Sequence, residues 1–263
     1  MKKLLFPLTL CAAAVAAPVM ADTYQSEVSA GYSDHTDASN ADVWGLGAKV
    51  FLMPVDTDNG PYELNSFLSH ASYLQGGMAF NDNLDQYLLG GRLVTSTDMV
   101  LDVQYKGLDF DHGEDADQYS VALGGYVNQS SLVSLYYKGL DWGRNDANTW
   151  GARVKSYMPL VADSGLLLKT DLSNSNVDHA TDVFAWDISG DYFFNKQLSA
   201  GLGMDYINAS NDQVAYVVQG HHDTTYYANA SYWFNPRANV SVGVNKTRGD
   251  NGMGWMVKGA YRF

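Results

Sequence analysis

Cysteine is all but missing from this chain of 263 residues: the one example, Cys11, falls among the first 21. Neither a disulfide framework nor a cysteine-based metal or redox site can support the remainder. Basic residues are scarce as well, 16 against 29 acidic ones, for a net charge of −13. Without surplus Lys or Arg to neutralise phosphates, nucleic acid is excluded as a partner. Proline is held to 6 residues, which leaves room for uninterrupted strands. Long apolar runs are missing too. Past the first 21 residues no stretch approaches ~18 consecutive apolar side chains, so no transmembrane helix is expected. What is plentiful is Gly (25), Tyr (18) and Phe (10), a composition that excludes a disordered acidic chain.

The first 21 residues read as a leader. Lys2 and Lys3 precede an apolar stretch from Leu4 to Ala17, and Val19-Met20-Ala21 makes a small-x-small cleavage site. Pro7 and Pro18 break the apolar run, which is too short for an uncleaved anchor, and Leu10 before Cys11 argues against a lipoprotein. The expectation is a bacterial Sec-type signal at 1–21, with residues 22–263 forming a single unit. An exported chain of this kind enters a membrane only as a barrel.

From Tyr24 onward the recurring period is two. In the last segment Met253, Trp255, Val257, Gly259, Tyr261 and Phe263 share one face, with Met256, Lys258, Ala260 and Arg262 on the other. The same alternation runs through Leu198–Tyr206 and Phe184–Tyr192. Aromatics gather near strand ends on the apolar face, as in the girdles of membrane barrels. Short connections at 95–98, 128–130, 195–196 and 235–237 alternate with Asp-rich ones at 34–42, 109–117, 141–148, 175–182 and 209–223. The stretch 54–63 is an exception, long where a short turn belongs. The rhythm predicts strands at 24–33, 43–52, 64–74, 84–94, 99–108, 118–127, 131–140, 149–157, 165–173, 183–194, 197–208, 224–234, 239–247 and 253–263. That is an all-β, antiparallel, up-and-down transmembrane barrel of about fourteen strands, with twelve or sixteen also compatible. A repeated Tyr-Lys-Gly-Leu-Asp at 105–109 and 137–141 fits a barrel of similar hairpins.

If the apolar faces meet lipid, the opposite faces line a lumen. Strand parity then turns Lys49, Arg92, Lys106, Lys138, Arg153, Lys155, Lys169, Lys258 and Arg262 inward, with Glu27, Asp102, Asp171, Asp187, Asp191 and Asp205 against them. Basic residues concentrate on the fourth to ninth strands, and several acids on the tenth and eleventh. Small inward residues such as Gly45, Gly47, Ser120, Gly124, Gly201 and Gly203 leave the lumen unfilled. The segment 209–223 is the candidate to fold inward. Acids assigned to the far mouth, including Asp34, Asp42, Asp109, Asp117, Asp141 and Asp146, predict a weak cation preference.

The termini resemble a known family. A closing strand ending Ala260-Tyr261-Arg262-Phe263 is similar to the terminal signal of Gram-negative outer-membrane barrels. Tyr261 and Phe263 would be read there by the barrel assembly machinery. The segment PVDTDNGPYELNSFLSHASYLQG, 54–76, and the stretch Asp22-Thr23-Tyr24-Gln25 leading into Glu27-Val28-Ser29-Ala30 resemble the general porins of gammaproteobacteria. The resemblance implies an outer-membrane pore for small hydrophilic solutes or ions, surrounded by lipid and lipopolysaccharide, as monomer or homotrimer, with no catalytic residues and no cofactor. Other readings are a barrel acting as receptor, adhesin or structural element through its acidic loops, and, third, a barrel hydrolase. The hydrolase would use His70 with Ser66, Ser69 or Ser72, or His221-His222-Asp223 at the mouth. Solvated loop histidines explain the latter more simply, and no phosphate-binding loop, dinucleotide fingerprint or nucleophile elbow occurs.

Overall fold

The computed structural model describes residues 23–37, 42–111, 114–143, 145–161, 163–177, 182–208 and 224–263. The chain closes into an antiparallel barrel of fourteen strands. These are β1 (Thr23–His35), β2 (Val43–Asp56), β3 (Tyr73–Phe80), β4 (Leu84–Val94), β5 (Met99–Phe110), β6 (Ala116–Asn128) and β7 (Ser131–Trp142). They continue as β8 (Asn145–Pro159), β9 (Gly165–Val177), β10 (Val183–Phe193), β11 (Leu198–Asn208), β12 (Thr224–Asn235), β13 (Ala238–Thr247) and β14 (Gly254–Arg262). Each strand pairs with its neighbours in sequence, and β1 pairs with β14 from Glu27↔Arg262 to His35↔Gly254. At this seam the Phe263 carbonyl accepts from the Gln25 and Ser26 amides, while the Phe263 amide donates to Ser26 O at 2.9 Å. Closure leaves no strand edge unpaired, the condition for a sheet in hydrocarbon.

One wall face is apolar and exposed all round: Leu46, Leu89, Val103, Leu123, Leu135 and Leu202 among others. Trp44, Trp150, Tyr226 and Trp255 flank it toward the long connections. Ring pairs Tyr192–Phe194, Tyr232–Phe234 and Tyr261–Phe263 flank it toward the short turns. A band of this extent is a bilayer surface with interfacial aromatic belts. The short turns are built by asparagines: the Oδ1 atoms of Asn128, Asn195 and Asn235 each accept the amide two residues on, at 2.9, 2.8 and 2.9 Å.

The third strand departs from the expected position. Residues 64–74 do not form it; β3 begins at Tyr73, and a 3-10 turn Tyr62–Leu64 runs into a helical turn Asn65–Leu68. Leu64, Phe67 and Leu68 are spaced i, i+3, i+4, the period of a helix face, which a count of apolar residues alone confuses with a strand. Gly60 at φ 100° and His70 at φ 47° reverse the chain on either side. Strands also run further than ten residues: β8 spans 15. Asp34, Asp109, Asp117, Asp141 and Asp146 therefore belong to strand ends rather than to connections. The leader at 1–21 and the segment 209–223, with His221 and His222, lie outside the described residues, as do His112 and His179.

Candidate functional site: the barrel lumen

The segment between β2 and β3 settles which wall face is the inner one. Leu64 and Phe67 are buried against Val100, Leu132, Tyr157, Leu167 and Phe193, from β5, β7, β8, β9 and β10. Side chains from five strands of the stretch β5–β10 meet one short segment only inside the cylinder. On the far wall Ser199 Oγ donates to Glu63 Oε2 at 2.8 Å, Tyr62 meets the Trp233 ring at 6.5 Å, and Arg262 donates to Tyr62 O at 2.8 Å. Residues 57–72 thus cross the lumen at its short-turn end. Burying Leu64 and Phe67 contributes roughly 2 kcal/mol each.

His70 fastens the segment to the rim. Its Nδ1 lies 2.8 Å from Asp98 Oδ1, its Nε2 3.2 Å from Gln129 O, and its ring stacks on Tyr126 with centroids 3.6 Å apart. This corrects its expected place on a strand. Among the described residues its partners include no serine: Ser69 Oγ accepts from Asn59 and Ser72 Oγ from the Val94 amide. The hydrolase arrangement is not assembled there.

Parity from Val100, Leu132, Tyr157, Leu167, Phe193, Ser199, Trp233 and Arg262 then fixes the inner face strand by strand. Asp102 and Lys106 of β5, Lys138 of β7, Arg153 and Lys155 of β8, Lys169 and Asp171 of β9, Asp187 and Asp191 of β10, Asp205 of β11 and Lys258 of β14 all lie on it. Several pair in register. Arg92 grips Asp102 through Nε and Nη2 at 2.8 and 2.9 Å. Arg153 meets Asp171 at 2.5 Å and Arg262 meets Glu27 at 2.7 Å, also in register, whereas Lys169, opposite Ser189, reaches diagonally to Asp191 at 2.9 Å. Charge-assisted pairs across neighbouring strands tie the inner wall together.

Lys49 and Lys155 instead lie over rings, Tyr73 at 4.6 Å and Phe67 at 4.3 Å. Tyr136 lies over Gly151, where a β-carbon would overlap its ring, and reaches Asp171 at 2.7 Å. Tyr227 does the same over Gly203 and reaches Asp187 at 2.5 Å. These tyrosines, with Glu63, Phe67 and His70, are the lumenal residues that strand parity did not single out. For the segment, the i, i+3, i+4 spacing was the available signal. Asp171, Asp187 and Asp205 are direct cross-strand neighbours, an acidic row on β9–β11. Asp109, Asp117, Asp141 and Asp146 stand on the outer face, where Asp117 pairs in register with Asp141 and Asp141 with Asp146. They form an acidic patch on the outside of β5–β8 and do not line the mouth. Tyr261 is on the outer face, and Phe263 holds the seam.

The profile of the family described as putative general bacterial porin matches residues 1–147. No curated protein sequence matches the chain at a significant level. Among solved structures, the outer membrane protein Omp33 of Acinetobacter baumannii superposes with a TM-score of 0.71 at 17% identity, covering 93% of this chain and 100% of that one. A bacterial polysaccharide outer membrane secretin gives 0.52 at 11% identity, covering 91% and 99%. A KdgM porin in complex with disordered oligogalacturonate gives 0.48 at 11%, covering 90% and 99%. At these identities the likeness is one of fold.

Proposed function

The chain belongs to the putative general bacterial porins, and from that membership and its barrel we propose a water-filled channel for passive diffusion of small hydrophilic solutes across the outer membrane. The observation that carries this reading is a closed cylinder with a lipid-facing apolar exterior and a wall of charged, hydroxyl and amide groups inside. A sealed barrel has no need of unneutralised charge in its centre; a wet one solvates it. Transport is sieving by width and charge, without energy coupling. Weak cation preference is supported by acids that remain near the opening, such as Asp42, Asp111 and Glu114. It is opposed by the basic inner wall.

Segment 57–72 favours a second reading, a barrel stopped at its inner end that acts through its outer loops. Single-channel recording in planar bilayers separates the two. Discrete steps in KCl support the channel, and the reversal potential under a salt gradient gives the preference: a cation sign supports the mouth acids, an anion sign removes that assignment. Folded, inserted protein that never conducts sinks the channel reading.

A further inference from the structure

The inner-wall arginines and lysines divide into paired and unpaired sets. Arg92, Arg153, Lys169 and Arg262 each hold a carboxylate. Among the described residues Lys49, Lys106, Lys138, Lys155 and Lys258 have none within 4.0 Å. Three of these, Lys49 from β2, Lys106 from β5 and Lys258 from β14, line one cavity of about 310 Å³. Glu27 also borders it, opposite Lys49 in register, and its Oε2 accepts from Arg262 at 2.7 Å, so the cavity sets three ammonium groups against one carboxylate already shared with an arginine. Gln75 and Gln86 add amide donors, and Gly47 and Gly77 keep the wall thin enough to leave room. A β-carbon at Gly77 would meet Leu46 O at 2.9 Å.

Ammonium groups gathered round one space repel each other, and the repulsion is relieved by an anion between them. We propose that this cavity is a subsite for a small dianion, held by Lys49, Lys106 and Lys258 and entered from the long-connection side. A dianion gains twice the Coulomb energy of a monoanion from the same groups. Lysines are compact point charges, so dicarboxylates and phosphates share the chemistry. The volume lies at the lower end of the range for small-molecule pockets. The proposal rests on the channel reading, because the ligand arrives through the lumen.

The test is block of KCl current through the protein purified from outer membranes, with succinate as probe and inorganic phosphate and acetate as comparisons. Variants Lys106→Gln and Lys138→Gln remove one inward charge each, the first inside the cavity and the second outside it. Lys106→Gln combined with Lys258→Gln is expected to raise the half-blocking succinate concentration about tenfold, whereas Lys138→Gln shifts it less than about twofold. Heat-modifiable migration in gels confirms that each variant is folded. Block by succinate alone supports a dicarboxylate site, and equal block by phosphate supports a site that reads charge. Acetate blocking as well as succinate overturns the dianion. Equal shifts in Lys106→Gln and Lys138→Gln overturn the site in favour of a diffuse field. Normal KCl steps with no block overturn the subsite while leaving the channel; no steps at all overturn the channel itself.

Discussion

Arg262 joins the barrel seam to the inward segment. It donates to Glu27 at 2.7 Å and to Tyr62 O at 2.8 Å, and its guanidinium lies between the rings of Trp233 and Tyr24, at 3.9 and 4.4 Å. Arg262→Ala leaves Glu27 charged in a crowded wall, and the expected cost is about 3 kcal/mol, read as a lower urea midpoint for unfolding from detergent. Arg262→Lys keeps the charge and loses the planar stacking, for about 1 kcal/mol. If both variants lose equally, the rings rather than the ion pair hold the seam. Glu63 reports on the segment by titration. Burial raises its carboxyl above the ordinary carboxylate value, and Asp191 adds to this, against the Ser199 hydrogen bond, Lys169 and Lys155. A carboxyl raised in the docked state binds its proton more tightly there than when the segment is free. Docking is therefore fully favoured below the free value and weakens as pH climbs through the raised one. Conductance should rise with pH over that interval, and Glu63→Gln, neutral throughout, should abolish the rise.

The segment 57–72 adds almost nothing to the barrel ladder, so it can be altered without unpairing strands. Replacing residues 60–70 by a short Asn-Gly turn removes the burial of Leu64 and Phe67, roughly 2 kcal/mol each, and opens the inner end. The expected result is a folded barrel with larger unit conductance; an unchanged conductance would place the narrowest point elsewhere in the lumen. His70→Ala is the milder form. Its ring bridges Asp98, Gln129 and Tyr126 at a partly solvated rim, so the loss in stability stays within about 1 kcal/mol. The readout is added current noise rather than a shift in melting. This element also marks where local pattern stopped being informative. The period of two located β4–β14 to within a few residues because each such strand has one lipid face and one wet face. Between Leu64 and Leu68 the apolar residues face the inside of the barrel, and their partners, Val100 to Phe193, lie far along the chain. No local window contains that contact. The acids at strand ends were misread for a related reason: a ladder can continue past the bilayer wherever its side chains are solvated.

Across the whole cylinder, charge is sorted by wall. Asp171, Asp187 and Asp205 stand side by side on β9–β11, while the unpaired Lys106 and Lys138 occupy β5 and β7. Strand parity made both groups legible as inward. Their separation was legible as well, with bases on the fourth to ninth strands and several acids on the tenth and eleventh; the register adds that Asp187 stands directly beside Asp171 on one side and Asp205 on the other. Such a layout sets a field across the solute path that orients dipolar solutes and weights the two ions of a salt unequally. The consequence is a pair of opposite shifts in reversal potential under a KCl gradient. Asp187→Asn with Asp205→Asn should move it toward anions, and Lys106→Gln with Lys138→Gln toward cations. Salt tells whether a field or direct contact is responsible, since screening shortens from ~10 Å at 0.1 M to ~3 Å at 1 M. A field acting across the lumen fades at the higher concentration, and both shifts should shrink together. Shifts that persist undiminished at 1 M would mean that ions touch these side chains as they pass. Shifts of the same sign for both double variants would refute the sorting of charge as the source of selectivity.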